Sequence, residues 1–317
     1  VTVISTKNNS LDLLALAEEW WADLDLMEST RSQYFEALQP CIRFLGARNV
    51  AGNPQRIDLL EYKRHLKGRG FRLSTQNTHI TAARRFFHWL HRNGHYSIDP
   101  ASDIKCLKLG DAFLKDALTP KQGKDLVESI DPTDSIAAAR DYAIVNLQIR
   151  TGIRRSSVWS ADICDMRTMG EREVLFIRIK GTEDKSTYVV LTSEVAEPIH
   201  YYLSLRHEVR PKDSLFVGHG RNNNGQRLSL NYISALLKWH LKEIGLTGSR
   251  YSCHSLRHSA ISYLASTGAT TSEIMSMSKH RDPKMAHRYI HNFQRLSHPA
   301  EHRINQVLKT RNALENI

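Results

Sequence analysis

No stretch of this 317-residue chain comes near the roughly 18 consecutive apolar residues that a membrane-spanning helix needs, so no membrane partner is expected. Residues 1–14 lack a basic run followed by an apolar one, so no secretory leader is expected and the expected location is cytoplasmic. Only four cysteines occur: Cys41, Cys106, Cys164 and Cys253. They are widely spaced and form no Cys-x-x-Cys pair, which argues against a zinc ribbon or a disulfide framework and suits a reducing compartment. There is no internal repeat and no low-complexity tract. Acidic residues are in deficit, with 33 Asp and Glu against 44 Lys and Arg, a net charge of +11.

What is there is an ordinary globular composition, 41% hydrophobic and 24% charged, which excludes a mostly disordered chain. At roughly 100–200 residues per domain, the length implies two domains. The surplus charge is uneven. Residues 1–116 carry 16 basic and 13 acidic side chains, and residues 117–317 carry 28 and 20. Such a surplus points to a polyanion, though charge alone does not separate nucleic acid from other anionic surfaces.

Hydrophobic spacing predicts two helices over residues 11–46, through Trp20 and Trp21 and then Tyr34, Leu38 and Ile42. A third helix is expected near 58–66, closed by Gly68 and Gly70. A fourth runs from Ser74 or Thr75 to Gly94. Trp20, Trp21, Phe86, Phe87 and Trp89 are expected to pack this small all-α core. Asp99-Pro100, Gly110 and Thr119-Pro120 break the periodicity, so the chain between reads as a linker. Helices are then expected over 120–130 and 135–150. Residues 172–192 read as a hairpin or short sheet with a polar turn at 181–186, and helices resume from 194. The resulting division is a flexible N-terminus at 1–10, a helical domain at 11–104, a linker at 105–117, a second domain at 118–297 and a C-terminal segment at 298–317.

Three short motifs carry chemistry. Thr151-Gly152-Ile153-Arg154-Arg155 places two arginines after a glycine turn. His254-Ser255-Leu256-Arg257-His258 sits at a helix start, and its His254 and Arg257, three apart, share a face that can donate to one phosphate. His280-Arg281-Asp282-Pro283 leads into Tyr289, with Asp282 as N-cap and Pro283 at the first helical position. Each motif alone also fits a plain solvated surface. His280, His287 and His291 lack a companion carboxylate or Cys at metal-ligand spacing, so no metal is assigned.

Taken together and in order, Arg154, a lysine in a β-turn, His254-x-x-Arg257, His280 and Tyr289 resemble the tyrosine recombinase (phage integrase) family over nearly the whole chain. The resemblance implies a mostly α fold with a small β-sheet. A four-helix core-binding domain and a mainly helical catalytic domain would form a C-shaped clamp on DNA. It implies a site-specific recombinase that cleaves and rejoins strands through a 3′-phosphotyrosyl link and a Holliday junction. The outcome would be resolution, inversion, excision or integration, with no cofactor and no metal. Tyr289 would be the nucleophile, Arg154 and Arg257 the phosphate clamp, His254 a donor or base, His280 a phosphate donor and Lys180 the acid for the leaving 5′ oxygen. Lys185 rivals Lys180, and Arg155 rivals Arg154. His258 reads as support for the fold rather than as chemistry. Three positions depart from the family pattern: Ser157 where an acid is common, Ile179 before Lys180, and Lys279 in place of Gly.

DNA contacts are expected from Arg69, Arg72, Gln76, Asn77, His79, Arg84 and Arg85 around the fourth helix, and from Arg221, Arg227, Lys238 and Arg250 in the second domain. The expected partners are a double-stranded site with inverted repeats, three further copies of the chain in a homotetramer on two paired sites, and accessory DNA-bending proteins. Ile304, Val307 and Leu308 repeat at helical spacing in a tail that resembles the family's docking segment. With the helical domain starting near residue 11, no arm-binding domain is expected, and the resemblance would be to a simple recombinase. The competing readings are a type IB topoisomerase, which relaxes without exchange, and a non-catalytic DNA-binding module.

Overall fold

The computed structural model describes residues 12–110, 115–179, 184–280 and 282–297, together with 301 and 304. The chain is mostly helical with one small sheet, and it divides into two compact units, residues 1–112 and 113–317.

The first unit is built from α1 (Leu13–Asp23), α2 (Glu28–Ala47), α3 (Arg56–Gly68) and α4 (Leu73–Arg92). Asp12 caps α1 by accepting from the amides of Leu14 at 2.9 Å and Ala15 at 3.3 Å. Leu13, Leu16, Ala17 and Trp20 follow at helical spacing and are buried. They meet Leu38 and Leu45 of α2, Tyr62 of α3, and Phe86, Phe87 and Leu90 of α4. The Trp20 and Phe86 rings lie 5.5 Å apart. Trp89 anchors its edge by donating from Nε1 to Asp23 at 2.6 Å. Trp21 is a correction: it is only half-buried, with the Arg31 guanidinium 4.7 Å above its ring. Neither Ser74 nor Thr75 caps α4, because that helix already starts at Leu73 behind an extended Arg72.

The stretch read as a linker is pinned at both ends. Asn77 exchanges two hydrogen bonds with the Leu107 backbone, and Lys63 donates to the Lys105 carbonyl, so residues 105–107 belong to the first unit. Asp116 pairs with Arg250 in the second unit.

That second unit opens with α5 (Pro120–Glu128), where Thr119 and Gln122 cap each other's backbone and Pro120 takes the first helical position. Next comes α6 (Ile136–Thr151), buried nearly all round, with Ala143, Ile144 and Leu147 fully enclosed. A short α7 (Arg155–Ser160) and one 3₁₀ turn lead to β1 (Met166–Met169), β2 (Arg172–Ile177) and β3 (Thr187–Leu191). These form an antiparallel sheet in the order β1-β2-β3, with Val174 opposite Val190 and Leu175 opposite Val189. Neither β1 nor α7 is legible in the hydrophobic pattern, because each is only four to six residues long. The unit closes with α8 (Ser193–Ser204), α9 (Leu230–Glu243), α10 (Cys253–Ser266), α11 (Thr271–Ser278) and α12 (Pro283–Ser297). A separate apolar cluster of Ile261, Ala265, Ile274, Ala286 and Tyr289 joins α10, α11 and α12. No helix among the described residues is long and apolar enough to cross a membrane.

Candidate active site

The site grows from the end of α6. Gly152 ends that helix in the left-handed region at φ +65°, and a Cβ there would lie 3.2 Å from the Ala260 Cβ on α10. The backbone then extends through Ile153 to Arg154, the N-cap residue of α7. Arg154 is half-buried and has no hydrogen-bond acceptor or acid among the described residues. Burial lowers its pKa from the ordinary arginine value.

Arg257 lies across the gap on α10, whose first turn is capped by Ser252 and Ser255. It is 8% exposed. Its Nη1 donates to the Gly152 carbonyl and its Nη2 to the Ser278 carbonyl at the end of α11. Nη2 also lies 3.1 Å from Nε2 of His280. One guanidinium therefore ties together α6, α10 and α11. Burial, and then the neighbouring Arg154, push it down to about 10, which still leaves it charged at neutral pH.

Because an arginine only donates, His280 must present an unprotonated Nε2 to it. The ring proton then sits on Nδ1, which lies 3.0 Å from the Ser278 hydroxyl. Burial first, followed by Arg257, Arg154 and His258, holds His280 neutral with a pKa near 4.

Tyr289 projects from the second turn of α12 and is 3% exposed. Its ring stacks on His280 at 6.3 Å and 16°. Its hydroxyl is hydrogen-bonded to Nδ1 of His258. Burial is the largest influence and raises the phenol to about 12, against the opposing charges of Arg257 and Arg288. His254 stands exposed on the first turn of α10. Partial desolvation, then Arg155, Arg257, Arg154 and Lys115, lower its pKa.

Arg154 at the start of α7, His254 and Arg257 on α10, His280 in the loop after α11 and Tyr289 on α12 thus come into one neighbourhood around a buried phenol. Lys180 lies outside the described residues. The rival Lys185 is committed elsewhere: its ammonium lies 2.7 Å from Asp162 and also bonds Asp165, bracing the approach to β3. Burial works against the Asp162 carboxylate, yet hydrogen bonds from Lys185 and Arg227 bring its pKa below the ordinary value. Arg155 also turns away, toward the Ser234 hydroxyl on α9. Ser157, standing where an acid is common, donates to the Arg178 carbonyl at 3.0 Å and so ties α7 to the end of β2. Lys279 holds the left-handed turn after α11 at φ +54°, with its ammonium 5.7 Å from the Tyr188 ring centre.

Several side chains expected to contact DNA already have partners within the protein. Gln76 is 3% exposed and donates to the Phe71 carbonyl at 2.6 Å. Asn77 is bound to Leu107, and Nδ1 of His79 lies 2.7 Å from the Ala37 carbonyl. Arg227 donates to the Trp159 and Ala161 carbonyls and to Asp162. Arg250 is forked onto Asp116. A buried polar group must find its partner within the protein, and hydrophobic spacing does not show which ones do. Arg69, Arg72, Arg84, Arg85, Arg221 and Lys238 are exposed. Arg85 lies 5.3 Å from the Tyr34 ring centre, and Arg69 lies 5.5 Å from that of Phe71.

His258, read from the sequence as support for the fold, is in contact with the Tyr289 hydroxyl. Its one signal was that it follows Arg257 directly. Contact with Tyr289 depends on how α10 crosses α12, which no local pattern records.

Comparison with known proteins identifies a family. Residues 116–295 match the phage integrase family. The chain is 25% identical over 272 residues to the tyrosine recombinase XerC of Herpetosiphon aurantiacus, covering 84% of this chain and 85% of that one. It is also 25% identical to the tyrosine recombinase XerD of Rhizobium meliloti, covering 87% and 89%. The fold resembles that of the XerH site-specific recombinase in a post-cleavage complex with a palindromic difH substrate. The TM-score is 0.70 at 20% identity, over 85% of this chain and 78% of that one. It also resembles a lambda integrase fragment bound as a dimer to a COC′ core site, with a TM-score of 0.66 at 11% identity over 86% and 96%. The family match spans more than half of the chain, and the chain belongs to the phage integrase family of tyrosine recombinases.

Proposed function

We propose that this protein is a site-specific DNA recombinase whose covalent intermediate is a 3′-phosphate ester of Tyr289. The observation that carries the reading is the placement of one buried phenol against two imidazoles, beside a guanidinium that already bridges three elements. The Tyr289 oxygen attacks phosphorus, the bond to the 5′ oxygen breaks, and the 5′ hydroxyl leaves. A 5′ hydroxyl from a second strand reverses the step. One ester replaces another, so no external energy source or metal is required by the balance of bonds.

Arg154 and Arg257 meet the charge that develops on the non-bridging oxygens. Arg154 is the arginine with its fork uncommitted among the described residues, and it takes the larger share of a new anion. A phosphate arriving beside His280 raises the affinity of that imidazole for a proton, turning Nε2 from acceptor to donor. His254 supplies a further donor from its exposed position, and Lys180 protonates the 5′ oxygen.

The partner in this reading is double-stranded DNA bearing inverted repeats, a reading supported by the complexes of XerH with a palindromic difH substrate and of a lambda integrase dimer with a COC′ core site. The active assembly is a homotetramer on two paired sites with a Holliday junction between strand exchanges. The expected docking tail at 298–317 lies, apart from residues 301 and 304, outside the described residues, and DNA-bending proteins assist. The work is done on DNA in the cytoplasm.

The test is covalent trapping. Sheared, nicked genomic DNA from the source organism is incubated with the protein in EDTA and quenched in SDS, and attached DNA is sequenced. Attachment that vanishes in Tyr289→Phe is the expected result. An adduct that survives in Tyr289→Phe, or cleavage that requires a divalent metal, overturns the reading.

A further inference from the structure

We propose that His258 is the proton acceptor for the nucleophile, taking the phenol proton of Tyr289 at Nδ1 as the ester bond forms. This rests on Tyr289 being the nucleophile. The assignment comes from which ring nitrogens are within reach. Tyr289 Oη is hydrogen-bonded to His258 Nδ1, and the two rings lie 5.6 Å apart at 36°. His280 is the other imidazole against Tyr289, but it stacks face to face, and both its nitrogens are engaged, one by Arg257 and one by Ser278. His254 sits on the exposed first turn of α10.

The setting suits the role. His258 directly follows Arg257 on the same helix, so the group that clamps phosphate and the group that takes the proton move as one body. The apolar wall of Ile261, Ala265, Ile274 and Ala286 fixes the phenol and limits its contact with bulk water. Among the described residues, the ionisable groups facing this pair are His254 and Arg257 from α10, Arg288 from α12 and His280 from the loop after α11. Burial, then His254, Arg257 and Arg288, keep His258 neutral, with a pKa near 4, so Nδ1 can accept a proton at neutral pH.

The step balances. The Oη–H bond breaks and an Nδ1–H bond forms. The freed electron pair on Oη makes the bond to phosphorus. The bond from phosphorus to the 5′ oxygen breaks, and that oxygen takes its proton from the acid assigned to Lys180. The imidazolium formed on His258 stands beside a phosphate carrying more negative charge than before. On rejoining, the departing phenolate takes the proton back.

The experiment separates proton transfer from mere support. Full-length protein is made with tyrosine or 3,5-difluorotyrosine at position 289, in wild-type, His258→Ala and His258→Gln backgrounds. Fluorination lowers the phenol pKa and so lessens the need for a base. The probe is end-labelled, sheared and nicked genomic DNA, and three quantities are read: SDS-stable label against time, filter retention without SDS, and thermal unfolding. His258→Ala is expected to form adduct about 10²–10³-fold more slowly, the usual range for removing a positioned base, with filter retention unchanged. Difluorotyrosine is expected to restore at least tenfold in that background and to change wild type little. His258→Gln, which keeps a hydrogen bond but is no base, serves where His258→Ala does not fold, and is expected to be slow and fluorine-sensitive.

Folded variants that form adduct at the wild-type rate overturn the proposal. So does slowing that fluorination does not relieve. A wild-type protein that retains DNA on the filter but attaches none, with either tyrosine, overturns instead the reading of Tyr289 as nucleophile.

Discussion

Nη2 of Arg257 lies 3.1 Å from Nε2 of His280 while also bonding the Ser278 carbonyl, so a single nitrogen is shared between the backbone that ends α11 and the imidazole that follows it. The arginine is therefore a structural cross-brace, and in the proposed reaction it binds phosphate as well. Its charge is positioned before any DNA arrives, the condition under which electrostatic stabilisation costs no reorganisation.

Arg257→Lys tests the double role. One ammonium on a flexible stem cannot reproduce a planar fork onto the Gly152 and Ser278 carbonyls. Leaving a buried carbonyl unpaired costs about 1–3 kcal/mol, so the unfolding temperature falls. Adduct formation is expected to drop at least about 100-fold. Thermal melts beside the trapping assay check both. A variant with wild-type stability would remove the brace from the account.

Stability is expected to decline as pH falls from about 6.5 to about 4. His258 and His280 each have a folded pKa near 4, lowered chiefly by burial, against an ordinary value of 6.5. In that window the unfolded chain binds more protons than the folded one, so acid favours unfolding. Their contribution is complete above 6.5 and is lost by the time pH passes the folded value. Melts at half-unit steps check this, and His258→Gln and His280→Asn should each flatten the slope. An unchanged slope in both variants would refute it.

Gly152→Ala should harm more than Gly268→Ala. Both glycines have positive φ, +65° and +82°, so each substitution carries about 1–2 kcal/mol of backbone strain. A Cβ at Gly268 meets open space, whereas at Gly152 it meets Ala260 at 3.2 Å across a helix contact. Gly152 also supplies the carbonyl that holds Arg257. Gly152→Ala is therefore expected to lower both melting temperature and adduct yield, and Gly268→Ala melting temperature alone. Equal losses of adduct would contradict the proposed link through Arg257.

The two hairpin lysines should separate by phenotype. Lys185→Ala strips a partner from Asp162 and Asp165, the latter 4% exposed, and is expected to destabilise by about 1–3 kcal/mol while the folded fraction keeps its adduct rate. Lys180→Ala is expected to keep stability and lose cleavage. The reverse pattern would exchange their roles. Lys185 read as a rival acid because Ile179-Lys180-Gly181 departs from the family's Gly-Lys-Gly, and the carboxylates beside Lys185 point to a bracing role for it.

Most of the architecture was legible because it is local. Helices with capping residues and regular apolar spacing, such as α1, α5 and α6, are written in fewer than twenty consecutive residues each. The short β1 and α7 escaped because four to six residues hold too little periodicity. At the candidate site, the residue types of the three motifs were readable in order, while the cross-helix contact of His258 was not.

The α4 surface shows the same divide. Gln76, Asn77 and His79 have side chains suited to base edges, yet each finds a backbone partner inside the unit. Sequence alone determined the family chemistry: a tyrosine, two arginines and the histidines in a fixed order, with a positive charge that favours a polyanion. Tertiary structure decided which of those groups are free and which are spent. That allocation depends on acceptors contributed by distant segments, such as Gly152 for Arg257, Leu107 for Asn77 and Asp162 for Lys185. A buried donor must take whichever acceptor the packing brings to it, and packing is not a local property of the chain.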